Sequence, residues 1–263
     1  MNKVVAVKYP IILVHGIVAH DRGGLIHFWG RIPERLKEGG FKVYSGNTDA
    51  WGDYDSNSYI LKKTIEQVQT ETGSERVNII AHSKGGIDAR YYIWKYNRNK
   101  EVASLTTICT PHQGSEIADL IYRQKITHSR VVHKTLQIFG KLYGDINPDL
   151  VRTNNELTTT KMADYNRIIV PDPSVFYHSM YSTMRNSFDD LIFFYSHWYL
   201  KSVAGPNDGV VSQRSTQWGS LVSRIPGGIS HGEILDIKRR RISGRDIPGI
   251  YLSIARDLGD RGF

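Results

Sequence analysis

The sequence Val77-Asn78-Ile79-Ile80-Ala81-His82-Ser83-Lys84-Gly85-Gly86 decides the fold, because it joins two kinds of local structure at one serine. Its first half is a short apolar run, typical of a strand buried on both faces. Its second half opens a segment of helical periodicity, so Ser83 is expected in a sharp turn between strand and helix. Such a turn needs small residues two positions before and after the serine, and Ala81 and Gly85 meet that need. The stretch therefore predicts a nucleophile elbow that presents Ser83.

Apolar runs alternate with amphipathic segments on both sides of this stretch. The alternation predicts an α/β fold, with a mostly parallel sheet, helices on both faces and functional side chains at the carboxyl ends of the strands. We expect strands at Ile11–Val14, 41–44, 77–81 and 105–109. The expected helices include a face of Phe28, Trp29, Ile32 and Leu36 that ends at Gly39, a face of Leu61, Ile65 and Val68 capped by Ser58, and Lys84–Tyr96.

Length and composition fit one globular domain. The chain has 263 residues, of which 40 % are hydrophobic and 23 % charged, and these values exclude disordered, collagen-like and coiled-coil classes. Its apolar runs are far shorter than the roughly 18 residues that span a bilayer, so we expect no transmembrane segment. We predict a single domain over residues 1–263. The pattern becomes irregular after the first 115 residues, and we expect a helical cap or lid inserted within about 115–187.

Charge and cysteine content bear on partners and location. Lys and Arg number 34 against 26 Asp and Glu, and the resulting charge of +8 favours anionic surfaces, either lipid or nucleic acid. We interpret the basic run at 238–241 as a solvated surface segment and expect no nucleic-acid partner, because no nucleic-acid module accompanies it. The single cysteine, Cys109, cannot close an intrachain disulfide. The apolar run near the first residue is too short for a signal peptide, so we expect a cytoplasmic protein, with secretion by another route left open.

A nucleophilic serine needs an adjacent base, and in a fold with this elbow the base is the last member of the order serine, acid, histidine. His231 is the last histidine and lies in a glycine-containing loop, so we predict that it is the base. The other five that follow Ser83 fit less well. We interpret His112 as a loop residue, His128 and His133 as exposed helix residues, and His178 and His197 as core or cap residues.

The acid that orients the base is predicted to be Asp208, in the turn sequence 205–211. A turn after a largely apolar segment would project its carboxylate from the end of a strand. The same residues would also serve as an ordinary Asn-Asp-Gly turn in any hairpin. Asp172 and the pair Asp189 and Asp190 stay open as rivals.

The transition state of acyl transfer carries negative charge on the carbonyl oxygen, which backbone N–H groups stabilise by about 3–4 kcal/mol per donor. One donor in this kind of site is the residue after the nucleophile, here Lys84. The other comes from the loop after an early strand, and Ile17 is our candidate. His15, in the same loop, is interpreted as a structural brace.

These segments together resemble the bacterial triacylglycerol lipases of the α/β-hydrolase superfamily. The likeness is carried by residues 10–16, 77–86, 106–115 and 207–211, and it covers about the first 120 residues and then about 205–231. The resemblance implies a lipase or carboxylesterase whose catalytic residues are Ser83, Asp208 and His231. It also implies a lipid or small ester substrate and transient contact with a lipid interface.

Two departures from the family pattern concern the elbow and a metal. Many relatives have glycine where this chain has Ala81, although alanine also occurs there. Calcium-binding relatives carry an aspartate two residues after the histidine, where this chain has Glu233. Glu233 could still ligate a hard cation together with Asp189 or Asp190. We expect no required cofactor, and structural calcium is a secondary expectation.

Aromatic residues are concentrated at 176–199, and we interpret those at 193–199 as core packing under the sheet. For the region 115–187, core packing and an apolar lid with an acyl pocket both stay open. We predict a serine ester hydrolase that cleaves acyl esters of the triacylglycerol type through an acyl-enzyme intermediate. The alternatives are another serine acyl enzyme, namely a thioesterase, amidase or acyltransferase, and a non-catalytic membrane-binding protein on the same scaffold. The sequence leaves the oligomeric state undetermined.

Overall fold

The computed structural model describes residues 7–17, 28–123, 145–146 and 148–263. Six strands within these residues form one sheet in which every neighbouring pair is parallel. Its strand order is β2-β1-β3-β4-β5-β6. The strands are β1 Ile11–Val14, β2 Val43–Ser45, β3 Val77–His82, β4 Val102–Ile108, β5 Phe176–Tyr181 and β6 Leu221–Arg224.

Helices connect successive strands, as a parallel sheet requires. The nine α-helices of the described residues are α1 Ile32–Glu38, α2 Tyr54–Thr72, α3 Lys84–Tyr96, α4 Glu116–Arg123, α5 Leu150–Glu156, α6 Thr159–Ile168, α7 Phe194–Val203, α8 Gln213–Thr216 and α9 Ile247–Asp260. Short 3₁₀ turns occupy Leu191–Phe193 and Glu233–Leu235.

The two faces of the sheet bury alternate residues of its strands. Ile11 and Leu13 pack with Ile32 of α1 and Tyr251 of α9 on one face. Ile12 and Val14 pack on the other face, where the apolar residues of α2 and α3 lie. Both faces of β1 and β3 are therefore covered, which explains their continuous apolar sequences. The prediction of a mostly parallel sheet with helices on both faces is confirmed.

Several predicted boundaries needed correction. The second helix begins at Tyr54, four residues before Ser58, because the carboxylate of Asp53 accepts the N–H groups of Asp55 and Ser56. Ser58 is buried and its hydroxyl donates to the carbonyl of Asp55, so it does not cap the helix. The second strand covers Val43–Ser45 and the fourth Val102–Ile108, each displaced from the predicted range by one to three residues.

Most of the region where we expected a cap, about 115–187, lies between β4 and β5, but its last part contains β5 itself, a strand inside the main sheet. Its described helices are α4, α5 and α6, and β4 and β5 are neighbours in the sheet. Residues 124–144, part of the expected cap, lie outside the described residues, as do His128 and His133. The single domain and the cap stay predictions. Among the described helices, none is both long and apolar enough to cross a bilayer.

Candidate active site

Ser83 lies at the junction of β3 and α3 with a backbone that few side chains adopt. Its φ is 53° and its ψ is −131°. Small neighbours make this conformation feasible: a Cβ on Gly85 would collide with the carbonyl oxygens of Val14 and His15, and a Cβ on Gly16 would lie 2.7 Å from Cβ of Ser83. Strained backbone of this kind persists only where the surrounding structure enforces it. The geometry is that of the predicted elbow.

The structure brings Ser83, His231 and Asp208 together in one chain of hydrogen bonds. Nε2 of His231 lies 3.0 Å from Oγ of Ser83, and its Nδ1 lies 2.7 Å from Oδ2 of Asp208. The second oxygen of Asp208 accepts the N–H groups of Val210 and Val211 at 2.9 and 2.7 Å. The turn that looked like an ordinary Asn-Asp-Gly hairpin therefore fixes a fully buried carboxylate toward the imidazole.

The rival acids face other partners. Asp172 caps the turn before β5, where it accepts from Ser174 and Asn97. Asp189 pairs with Arg185. Oδ2 of Asp190 accepts a hydrogen bond from the hydroxyl of Ser230, at an oxygen–oxygen distance of 2.7 Å. Of the rivals, only Asp190 reaches the loop of His231, and it does so one residue away from the imidazole.

The other described histidines after Ser83 are held by structural contacts. The ring of His112 is buried between Arg90 and Thr107, and burial lowers its pKa far below the usual value. His178 lies in β5 against Ser223, and His197 in α7 against Ser187. His112 thus follows β4 in a loop, as expected, but it is fully buried.

Two neighbours of the site were not predicted. His82 is buried against His231, with ring centroids 4.6 Å apart, and its Nε2 lies 3.2 Å from the His231 carbonyl oxygen. Burial lowers the pKa of His82, so the ring beside His231 is neutral. Cys109 is buried within reach of both Asp208 and His231, and burial together with the Asp208 charge raises its thiol pKa. No sequence pattern relates Cys109 to Asp208, since only the fold brings them together.

The predicted oxyanion donors, Ile17 and Lys84, both belong to segments in contact with or adjoining Ser83. Lys84 is the first residue of α3, so its N–H is one of the free donors at a helix N-terminus. Ile17 follows Gly16, which packs directly against Ser83. The ammonium of Lys84 points away from this role: it is buried and bound to the carboxylate of Asp88 at 2.6 and 2.8 Å.

His15 connects the loop after β1 to the loop after β2. Its ring nitrogens lie 2.7 Å from the carbonyl oxygen of Gly16 and 3.0 Å from that of Thr48. The ring is buried and packs against Phe28. These contacts agree with the interpretation of His15 as a brace for the loop that carries Ile17.

An apolar cavity of about 240 Å³ begins at Ile17. Its walls come mainly from α4, α5 and the loop before α2, and include Trp51, Ile121 and Leu150. Ile17 directly follows Gly16, which packs on Ser83, so the cavity and the elbow are connected by the loop after β1. Ser83 and His231 do not themselves line this cavity.

The three acids considered for calcium already have cationic partners. Lys238 bridges Glu233 at 2.9 Å and Asp190 at 3.3 Å, while Asp189 pairs with Arg185. An ammonium group thus stands between the two carboxylates that a cation would join. These residues, as placed, do not fit a calcium site, and Ca²⁺ would have to displace Lys238.

Comparisons with known proteins agree with this geometry. The triacylglycerol lipase of Pseudarthrobacter phenanthrenivorans is 34 % identical over 174 residues, which make up 62 % of this chain and 54 % of that protein. Triacylglycerol lipase 2 of Saccharomyces cerevisiae is 29 % identical over 90 % of this chain and 75 % of its own length. The chain spans about half the length of the bacterial relatives it matches at 34 % identity. The resemblance to bacterial triacylglycerol lipases is confirmed.

Solved structures show the same fold. The lipase BlEst2 of Bacillus licheniformis superposes with a TM-score of 0.70 at 20 % identity, covering 95 % of this chain and 92 % of that one. The Staphylococcus hyicus lipase gives 0.72 at 16 % identity, with 96 % of both chains covered. The predicted α/β-hydrolase fold is therefore confirmed.

A sequence profile for palmitoyl protein thioesterase matches residues 10–171, well over half of the chain. With its serine elbow and α/β-hydrolase sheet, this chain belongs to the palmitoyl protein thioesterase family.

Proposed function

We propose that this protein is a serine hydrolase that cleaves acyl esters of lipids through an acyl-enzyme intermediate. The observation that carries the proposal is the hydrogen-bond chain from Ser83 through His231 to Asp208, built on a strained elbow. A structural turn serine has no need of a buried imidazole aligned by a buried carboxylate. The same hydrogen-bond arrangement argues against the alternative of a non-catalytic membrane-binding protein.

The proposed reaction has two halves. Oγ of Ser83 attacks the ester carbonyl carbon while Nε2 of His231 takes the hydroxyl proton, and Asp208 holds the imidazole in the right tautomer and stabilises its charge. The N–H groups of Ile17 and Lys84 are proposed to bind the oxyanion. Collapse breaks the bond to the leaving alkoxide, which takes the proton from His231. In the second half His231 takes a proton from water, and the oxygen of that water attacks the acyl carbon. The bond from this carbon to Oγ of Ser83 then breaks, Oγ takes the proton back from His231, and the free acid leaves.

The apolar cavity lined in part by Ile17 supports a lipid acyl chain as part of the substrate. Its walls are largely apolar, so an acyl chain gains free energy by leaving water there, at about 0.8 kcal/mol per buried CH₂. Relatives named triacylglycerol lipase support an oxygen ester of a lipid as the substrate. No step of this mechanism requires a metal.

Thioester hydrolysis is a second candidate function, favoured by the family match over 10–171. The same serine, imidazole and oxyanion groups would act on an acyl thioester, with a thiolate as the leaving group. A comparison of kcat/KM for p-nitrophenyl palmitate and palmitoyl-coenzyme A separates the two. Preference for the thioester by tenfold or more would replace the lipase proposal with a thioesterase.

The test of the proposal is the kinetics of two variants on a soluble p-nitrophenyl ester. We expect Ser83→Ala to lower kcat by roughly 10⁴–10⁶-fold and Asp208→Asn by roughly 10⁴-fold, as in other triads. Asp172→Asn is the matched control, because its carboxylate caps a turn away from His231, and it should keep near-normal activity. Near-full activity in Ser83→Ala would overturn the proposal.

A further inference from the structure

Five large apolar side chains are exposed along one side of residues 188–198. They belong to the 3₁₀ turn Leu191–Phe193, the start of α7 and the loop before them, and each is between 66 % and 82 % exposed. The spacing of Leu191, Ile192, Tyr195 and Trp198 places these four on a single helical face. Phe188 lies in the loop before the turn, and its ring packs 5.1 Å from that of Phe194. Isolated exposed apolar residues are normal, but a contiguous set marks an interaction surface. The set, called the apolar face here, is Phe188, Leu191, Ile192, Tyr195 and Trp198.

The apolar face is fixed to the loops of the proposed active site. Phe193, on the opposite side of the same segment, packs so closely on Gly209 that a Cβ there would lie 2.5 Å from its own Cβ. Its ring also lies against Gly232, next to His231. Asp190 receives the hydroxyl hydrogen bond of Ser230 at 2.7 Å. The face therefore lies at the rim formed by the loops of Asp208 and His231.

A cationic segment, residues 237–241, borders the apolar face. Lys238 is anchored to Asp190 at 3.3 Å, and Arg185 reaches Ser243 beyond the segment. Arg239, Arg240 and Arg241 are exposed, and within the described part of the chain none forms an ion pair with a carboxylate. Ile237 is exposed at the start of the segment. Apolar and cationic groups are thus presented side by side.

We propose that the apolar face and the cationic segment together bind the surface of an anionic lipid bilayer, with the mouth of the Ser83 site at that surface. Apolar side chains enter the boundary between headgroups and acyl chains, while arginines are attracted by the negative surface potential. A second copy of this chain fits less well, because pairing the faces would bring two cationic segments together on molecules that each carry +8. The bilayer would present lipid esters directly to the Ser83 site, and in this respect the inference rests on the proposed function.

Binding is measured apart from catalysis by sedimenting Ser83→Ala protein with vesicles. We use phosphatidylcholine alone and phosphatidylcholine mixed with phosphatidylglycerol. Binding is expected only to the mixed vesicles, and salt should weaken it, because exposed charges are screened. Since the probe protein lacks the proposed nucleophile, failure of the hydrolase proposal would leave this result unaffected, and failure here would leave soluble ester hydrolysis intact.

Two double variants test the two parts of the surface. Leu191→Ser with Ile192→Ser, and Arg239→Gln with Arg240→Gln, should each lower the vesicle partition coefficient by roughly tenfold or more. The matched controls are Ile168→Ser with Val170→Ser and Arg98→Gln with Lys100→Gln, which remove exposed groups of the same kinds beside the amino ends of β5 and β4. Neither control should change binding by more than about twofold.

Three results would overturn the proposal. The first is no binding to the mixed vesicles, and the second is equal loss in the test and control variants. The third is concentration-dependent dimerisation in sedimentation velocity that Leu191→Ser with Ile192→Ser abolishes, which would make the apolar face a contact between copies.

Discussion

At Ser83 the backbone stores strain that a reactive hydroxyl requires. Its φ of 53° and ψ of −131° lie where residues with a Cβ are disfavoured by about 1–3 kcal/mol. This backbone conformation places Oγ at the end of β3, 3.0 Å from Nε2 of His231. A glycine at this position would relieve the strain but would also remove the nucleophile.

Ser83→Gly should therefore be more stable than Ser83→Ala. Both variants lose the hydroxyl, but only alanine keeps the strained Cβ. After allowing for the greater freedom of glycine in the unfolded chain, we expect the glycine variant to have a free energy of unfolding about 1 kcal/mol higher. Urea denaturation of the two variants measures the difference, and a less stable glycine variant would show that the elbow is not strained.

At the scale of elements, the local patterns around β3 and α3 were sufficient to predict both, because a buried strand and an amphipathic helix each carry their own periodicity. The start of α2 was not predictable in the same way. Asp53 and Ser58 are both acceptable helix caps in isolation, and the choice of Asp53 depends on where its carboxylate points. The contacts of His82 and Cys109 with the site could not be predicted from the sequence for a similar reason, because they join segments that are far apart along the chain.

Asp53→Ala tests the corrected start of α2. The variant leaves the N–H groups of Asp55 and Ser56 without their acceptor, so we expect the free energy of unfolding to fall by about 1 kcal/mol. Asp55→Ala is the control, since it removes a partly exposed acid of the same turn that pairs with Lys95 and bonds Tyr91 but accepts no N–H of the first turn. Equal effects of the two variants in urea denaturation would contradict the assignment of the cap.

At the scale of the whole molecule, Glu156 connects three parts of the fold. Glu156 lies at the end of α5, and its carboxylate accepts a hydrogen bond from the N–H of Tyr54 at the start of α2. The carboxylate also interacts electrostatically with the ammonium of Lys84 in α3. Burial raises the pKa of Glu156 to about 7, although the Lys84 charge partly opposes this. Between its ordinary value and 7 the folded state holds a proton that the unfolded state has lost. The free energy of unfolding should therefore fall as the pH rises through this window.

Glu156→Gln should abolish this contribution to the pH dependence. The free energy of unfolding of the variant should exceed that of the wild type only slightly near pH 4.5. The excess should grow to as much as about 3 kcal/mol at pH 8, a figure that follows from the pKa difference. Urea denaturation at several pH values measures it. Glu66→Gln, which changes an exposed acid paired with Lys62, is the control and should show no such trend. An advantage for Glu156→Gln that does not depend on pH would contradict the raised pKa.

The central claim, that Ser83 is the nucleophile activated by His231, is tested most directly by covalent labelling with a fluorophosphonate followed by peptide mass analysis. The account predicts one adduct per chain, on the peptide that contains Ser83, formed far more slowly in His231→Ala and absent in Ser83→Ala. Labelling of a different serine, or ester hydrolysis by a protein whose Ser83 stays unlabelled, would contradict it.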